Sequence, residues 1–474
     1  MRDRIHHSRF CAPAVNSVAN WFAASVTMVP MRLLHITAQK PDSTGSGVYL
    51  AELAGACARL GCVQAIVAGI GPDDDPVVPD GAAFFPVRFE TGELPFPVCG
   101  MSDEMPYKAT RYRDLSPAMV ASFDAAFARA VRAAVDELRP DAVVCHHLYL
   151  VTSLVRTLLP DVPVVAVCHS TDVRQMRQHG LARDRIAHAV RALDAVFALH
   201  EAQKRDIVEV YGVDEERIRV VGTGYNHAVF RTDDEVHNDL GPRSAVSAGA
   251  EELPAQARRA ANLVYAGKIW RKKGVSSLIA ALAELSVEPD GLVLRLAGGH
   301  TNEDEYRRML AQAEQSRYRI EFLGKLAQSD LAQEYRRADV FVLPSFFEGL
   351  PLVVVEALAC GCTAVVTDLP GIRPWIEAQA PDAPVIFVEP PRIVNADEPV
   401  PRIFPLLSGA SPKPSRALFG CRPGAAILRI CRGTPWLHAS STSAQILSAD
   451  VSADSLRGEK PLRCGSLAAG RFPL

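Results

Sequence analysis

Residues 31–38, Met-Arg-Leu-Leu-His-Ile-Thr-Ala, form a short apolar run of the kind that fills a buried parallel strand. A loop carrying Pro41, Gly45 and Gly47 follows, and from Val48 to Leu60 the apolar positions (Leu50, Leu53, Ala54, Cys57, Leu60) fall at helical spacing and stop at Gly61. Val63–Ala68 is apolar again. Strand, glycine loop, helix, strand is the opening of a doubly wound α/β sheet. The alternation continues. Pro117–Leu138 predicts an amphipathic helix with Ser116 as its N-cap and Pro117 in the first turn, and 142–145, 162–168 and 195–199 predict further strands. The stretch 232–260 is rich in Ala, Glu, Asp, Ser and Pro without a sustained period, and reads as a linker. A second set follows, with strands over 263–266, 292–297, 320–323, 340–343 and 363–367 and helices over 275–285, 303–315, 331–338 and 351–360.

The expected architecture is α/β: two Rossmann-like domains facing across a cleft, followed by an irregular C-terminal tail. Residues 31–230 make the first domain, 231–261 the linker and 262–401 the second domain. Residues 1–30 are expected to be a disordered extension or an early start. Residues 391–474 hold 11 Lys/Arg against 5 Asp/Glu, a net of +6 in a chain whose net charge is −3, and show little periodicity. The tail over 402–474 is read as sequence following a frame disturbance near Pro401, with a disordered tail as the alternative.

Composition narrows the class. The 474 residues suit two domains, and 48% hydrophobic with 22% charged residues is the balance of a globular protein. A net charge of −3 gives no basic field for nucleic acid. Eleven scattered cysteines without a CxxC pair argue for reduced thiols rather than a disulfide framework or zinc site. No apolar run approaches the roughly 18 to 20 residues of a membrane span.

The strongest chemical signal is Phe347-Glu348-Gly349-Leu350-Pro351-Leu352-Val353-Val354-Val355-Glu356, two carboxylates separated by seven residues. Glu348 falls in the loop after the strand ending in Pro344-Ser345. Glu356 falls inside an otherwise apolar helix, where an acid is costly unless something pairs with it. Sugar or ribose hydroxyls would serve, and the N–H groups at the helix start suit phosphate. The plainer alternative has Glu348 capping the helix and Glu356 meeting solvent.

This spacing, opened by Phe-Glu-Gly-Leu-Pro, resembles the signature of the retaining glycosyltransferases of family 4, which have the GT-B fold. Other segments match in order. Gly267-Lys268-Ile269-Trp270-Arg271-Lys272-Lys273-Gly274 is similar to the family's donor-phosphate loop, with Lys268 where Arg is usual and Lys273 at the Lys position. Gly222-Thr223-Gly224-Tyr225-Asn226 resembles the turn that ends the first domain, and Gly298-Gly299 the Gly pair whose bare backbone admits base or ribose. Gly45-Ser46-Gly47 resembles the first domain's glycine loop, and His169, at the end of a strand, the sugar-proximal His.

The resemblance implies transfer of a sugar from a nucleoside diphosphate to an acceptor hydroxyl with retention, in cell-surface glycan or glycoconjugate synthesis. Lys268, Lys273 and N–H groups of residues 350–353, with Gly349 and Leu350, would hold the leaving diphosphate. Glu356 would hold the ribose, Glu348 the donor sugar, and His169 would stand near the anomeric centre, with Gly45 and Gly47 passing close. It implies no metal and no cofactor beyond the nucleotide-sugar donor, UDP being the commonest carrier. The acceptor would be a sugar, a lipid-linked compound or a small molecule. A cytoplasmic place is implied, with peripheral membrane contact the role open to the Arg-rich stretch 174–191, although a solvated helix face accounts for that stretch more simply. Asp73-Asp74-Asp75 and the histidines His146, His147 and His200 are read as a solvated turn and as pocket or core residues. A GT-B epimerase, and a truncated chain that binds a nucleotide sugar without turnover, are the alternatives.

Overall fold

A parallel strand buried on both faces reads as a mainly apolar run, and strand β1 (Arg32–Thr37) does so: Leu33, Leu34 and Ile36 are fully buried in the middle of a sheet, with His35 buried among them. The computed structural model describes residues 30–41, 43–232 and 260–391, and the backbone of 393–394 and 398–399. Residues 1–29 of the extension expected over 1–30, most of the linker and the tail over 402–474 lie outside the described residues.

Around β1 stand β2 (Val63–Ile70), β3 (Ala83–Arg88), β4 (Ala142–His146), β5 (Val164–Val167), β6 (Ala195–Ala198) and β7 (Ile218–Val220). Their order is β3-β2-β1-β4-β5-β6-β7, and every neighbouring pair is parallel. A second parallel sheet holds β8 (Ala261–Ala266), β9 (Leu292–Ala297), β10 (Arg319–Gly324), β11 (Val340–Leu343), β12 (Thr363–Thr367) and β13 (Val385–Val388), in the order β10-β9-β8-β11-β12-β13. Both sheets reverse direction of growth beside their first strand, the place where an open α/β sheet forms a crevice at its strand C-termini.

The helices between strands follow the apolar spacing with corrections at their ends: the helix expected over 331–338 runs Gln328–Arg337, and the one expected over 275–285 runs Val275–Leu282. Helix α1 runs Gly45–Arg59, three residues earlier than the apolar positions indicate, because Thr44 caps it and accepts from Gly47 N at 3.2 Å. Gly45 and Gly47 therefore form a helical first turn, not a loop. Helix α2 (Pro117–Leu138) has the expected bounds, with Ser116 accepting from Met119 N and Phe123, Phe127 and Val131 buried. Strand β3 carries Pro86 on the outer edge of its sheet, a position where a strand tolerates proline.

The arginines of 174–191 lie on α3 (Thr171–Gln178) and α4 (Arg183–Arg191); Arg177, Arg183 and Arg191 are exposed, as a solvated face requires, and the exception is Arg174. Arg174 is buried. Arg177 pairs with Asp206 and Glu209, and Arg185 with Asp124. Arg183 donates to Met176 O and His179 O, and Arg191 to Tyr211 O. Among the described residues no helix is long and apolar enough to cross a membrane.

The C-terminal edges of the two sheets face each other and touch. Leu350, from the loop after β11, is buried in an apolar cluster of the first lobe with Leu33, Tyr49, Leu53 and Leu199. Glu52 of α1 accepts from Gln328 Nε2 at the start of α5 (Gln328–Arg337) and from Asn226 Nδ2, both at 3.4 Å. Within the second lobe the turns after β8 and β9 are packed backbone to backbone. Gly298 has φ +150°, and a Cβ there would collide with the Gly267 carbonyl. Gly298→Ala is expected to lower the unfolding free energy by roughly 2 kcal/mol or more, since neither the backbone angle nor the neighbour can accommodate it. Urea denaturation of the two proteins side by side measures this.

Candidate functional site

The site is built from loops at the strand ends of both lobes. Asp172, fully buried at the start of α3, accepts from Leu148 N at 2.8 Å and from His169 N at 3.3 Å, so it ties the loop after β4 to the loop after β5. Two non-glycine residues in these loops, His147 (φ 74°) and Ser170 (φ 68°), hold left-handed backbone. Each such conformation costs about 1–3 kcal/mol and persists only where surroundings fix it; the Asp172 carboxylate supplies part of that fixing. The result sets His169 in a nest of rings: Tyr49 edge-on at 5.3 Å, His147 at 4.7 Å and His146 stacked at 5.7 Å between centroids. Burial pushes the His169 imidazole down to about 3, so it is neutral at any working pH.

Gly45 and Gly47 flank Ser46, the residue of that turn that reaches the nest. Ser46 between them lies 3.2 Å from His147 Nε2, and Gln39 Nε2 lies 2.6 Å from that nitrogen. His200 is buried and accepts from Gln203 N at 3.0 Å, capping the helix Glu201–Tyr211. Asp74 pairs with Lys40 at 2.5 Å and accepts from Gly71 N, which leaves the Asp73–Asp75 turn a surface feature of the first lobe. Among the described residues no group of three or more His, Cys, Asp or Glu is arranged to hold a metal ion.

In the second lobe the loop after β8 docks on the loop after β11. Phe346 N donates to Lys272 O, and Lys273 Nζ meets Glu348 Oε1 at 2.7 Å across a separation of 75 residues. Glu348 is thus an ion-pair partner, not a helix cap. Lys268 Nζ donates to the Glu104 carbonyl of the first lobe at 2.5 Å and lies 5.0 Å from the Trp270 ring centroid. Burial, then the Lys273 charge, lowers the Lys268 ammonium to about 8. The helix carrying Glu356 spans Leu352–Ala359 with Pro351 as N-cap, one residue shorter at each end than the apolar run suggests.

Glu356 does not meet solvent: it is 6% exposed. Burial, followed by the Glu52 carboxylate across the cleft, pushes it up to about 8, so it stands protonated at neutral pH. Gly349 sits against Ser170 of the first lobe, so the loop bearing Glu348 is pressed between the lobes. Gly298 is occupied with the Gly267 carbonyl. It is Gly299, with nothing within 4 Å of where a Cβ would stand, that borders open space.

The structure therefore gathers Lys268, Lys273 and Glu348 on adjoining loops, and sets Gly349 and Leu350 against the lobe that carries His169 and the α1 first turn. Sequence reasoning did not single out Asp172 or Glu52, and it placed Arg174 only within an Arg-rich helix face; the Arg174 guanidinium lies 5.2 Å from the Phe347 ring centroid. For Asp172 the signal available was an acid in the first turn after a strand-end His; for Glu52 and Arg174 there was none, because their partners (Gln328 and Asn226, and Ser102 and Phe347) are distant in sequence.

Two doubly wound lobes meeting at their strand C-termini, with cations and buried acids on the loops between, define the GT-B class of sugar transferases. Family profiles agree: residues 43–229 match "Glycosyltransferase Family 4" and residues 260–396 match "Glycosyl transferases group 1". The chain belongs to glycosyltransferase family 4. It is 26% identical over 353 residues to a D-inositol 3-phosphate glycosyltransferase of Kineococcus radiotolerans, covering 70% of this chain and 74% of that one. It is 29% identical over 247 residues to a glycogen synthase of Mycobacterium tuberculosis, covering 49% and 53%. The match thus spans about half the length of that curated relative. Among solved structures, sucrose-phosphate synthase from Thermosynechococcus elongatus superposes with a TM-score of 0.57 at 18% identity, over 88% of this chain and 92% of that one. HepE of Anabaena in complex with UDP and glucose superposes with a TM-score of 0.53 at 15% identity, over 88% and 93%.

The raised Glu356 carboxyl makes stability depend on pH. A carboxyl that holds its proton more tightly when folded contributes stability that is complete below the ordinary glutamate range and is lost as pH rises toward about 8. Relative to Glu356→Gln, the wild type is expected to lose stability steadily from about pH 4.5 to about 8. Denaturation midpoints of both proteins across that range, at fixed ionic strength, measure the difference; parallel curves contradict the buried protonated acid.

Proposed function

We propose that the protein is a retaining glycosyltransferase that moves a hexose from a nucleoside diphosphate, UDP in the first instance, to a hydroxyl of a sugar or polyol acceptor. The observation that carries this reading is the meeting of Lys273 and Glu348 at 2.7 Å, on the loops that approach the His169 lobe. A diphosphate leaving group gains negative charge as the sugar becomes oxocarbenium-like. Fixed cations in a partly buried cleft stabilise that charge far better than water does. Lys273 and Lys268 are the cations, assisted by the N–H groups of Gly349, Leu350 and Leu352–Val353.

In the proposed reaction the bond from the anomeric carbon to the diphosphate breaks, the acceptor oxygen bonds on the same face, and the acceptor's proton leaves with the diphosphate. Glu348, oriented by Lys273, holds donor sugar hydroxyls, and Glu356 takes the ribose hydroxyls. His169 borders the anomeric carbon, and the Gly45–Gly47 turn closes the first-lobe wall. Gly299 leaves room for the base. No metal or cofactor is assigned a part. A UDP-glucose donor draws support from the complex of HepE with UDP and glucose, and a sugar or polyol acceptor from the names of the sucrose-phosphate synthase and D-inositol 3-phosphate glycosyltransferase relatives.

The test is a panel of nucleotide sugars and acceptors scored for glycoside product and for its anomeric configuration. Lys273→Ala and Glu356→Ala are each expected to lower turnover by about a hundredfold or more while leaving the far-UV spectrum unchanged. Full activity in both variants, or inversion of configuration in the product, overturns the reading.

A further inference from the structure

Behind His169 lies a second imidazole whose protonation the packing dictates. His146 ends β4 and is 1% exposed. Its Nδ1 is 3.4 Å from His169 Nε2, and the two rings are stacked with 14° between their planes. Its other nitrogen, Nε2, is buried and has no hydrogen-bond partner among the described residues. A neutral imidazole has one N–H and one lone pair. If His146 carried its proton on Nε2, a buried donor would be left unpaired. If it carries the proton on Nδ1, that N–H finds His169 and only a lone pair is left without a partner. Buried polar hydrogens in folded proteins are almost always paired, while an acceptor short of a partner is better tolerated.

We infer that His146 is a positioning residue: its Nδ1–H donates to His169 Nε2, so that His169 carries its own proton on Nδ1 and meets the cleft as a hydrogen-bond donor, not as a base. Neighbouring groups leave this arrangement intact. His35, whose ring centroid is 6.2 Å from that of His146, has Nε2 2.9 Å from Gln64 Oε1, and Gln64 Nε2 donates to Ala54 O. That order fixes the His35 proton on Nε2, so His35 supplies no competing proton to His146. His147 accepts at Nε2 from Gln39 Nε2, which puts its proton on Nδ1; there it has no hydrogen-bond partner among the described residues, and Asp172 Oδ2 at 3.9 Å is an electrostatic contact only. Burial keeps His146 and His169 uncharged, so neither ring gains the second proton that would erase the distinction. In the transferase reading, on which only the use of the donor rests, His169 Nδ1–H points a hydrogen bond at a donor-sugar oxygen and accepts no proton during transfer.

The experiment is ¹⁵N NMR of the full chain labelled at histidine, with the His169 signals assigned from their loss in His169→Gln. The wild type is expected to show His169 as the Nδ1–H tautomer. In His146→Phe the signal should move toward a mixture with Nε2–H, and His146→Asn, whose side-chain amide can donate in place of the imidazole, should retain the wild-type form. In sugar transfer, kcat should fall roughly tenfold to a hundredfold in His146→Phe with the donor KM changed far less, and His146→Asn should recover most of the loss. His169 found as Nε2–H in the wild type, or an unchanged tautomer in folded His146→Phe, overturns the inference. Should His146→Phe fail to fold, the wild-type tautomer decides. The tautomer is read without any turnover, so its failure is distinct from failure of the transferase reading.

Discussion

The cleft depends on one loop, residues 346–351, being held from both sides. From its own lobe Lys273 pairs with Glu348, and Phe346 N is bonded to Lys272 O. From the other lobe Leu350 is taken into the cluster of Tyr49, Leu53 and Leu199, and Gly349 rests on Ser170. Withdrawing a leucine of this kind from apolar packing costs on the order of 2 kcal/mol. That is enough to give the loop a preferred place and small enough for ligand binding to alter it.

Given that constraint, the roles of the two acids separate by environment. Glu348 has a fixed cation, Lys273, at 2.7 Å. Glu356 has apolar neighbours, and a second acid faces it across the cleft, so the protein keeps it neutral. Two glutamates eight positions apart in one segment thus sit in opposite surroundings, one in an ion pair and one among apolar side chains. The first lobe shows the same economy with histidine: four imidazoles stand within a few ångströms, and buried hydrogen bonds, not charges, order them.

Much of the fold was legible because parallel strands buried on both faces leave long apolar runs, and because Glu348, Glu356, Lys268 and Lys273 stand at fixed intervals along the chain. What escaped was set by contacts between distant segments. The start of α1 moved because the Thr44 cap outweighs the low helix preference of Gly45 and Gly47. Arg174 belongs to a stretch that reads as a solvated face, yet it is buried beside Ser102 with Phe347 of the other lobe over it. Glu52 looks like an ordinary helix-surface acid until Gln328 and Asn226 are brought to it. Leu350 reads as part of a helix-start motif, and only the assembled lobes show that its side chain plugs the opposite one.

The contact of Lys268 with the Glu104 carbonyl has a mechanical side. One of its three N–H donors is spent on the first lobe, so charge recognition and the grip between the two halves draw on the same atom. An anion in the cleft and the carbonyl on its rim share that nitrogen, and the ease with which the halves part is tuned by a single flexible side chain.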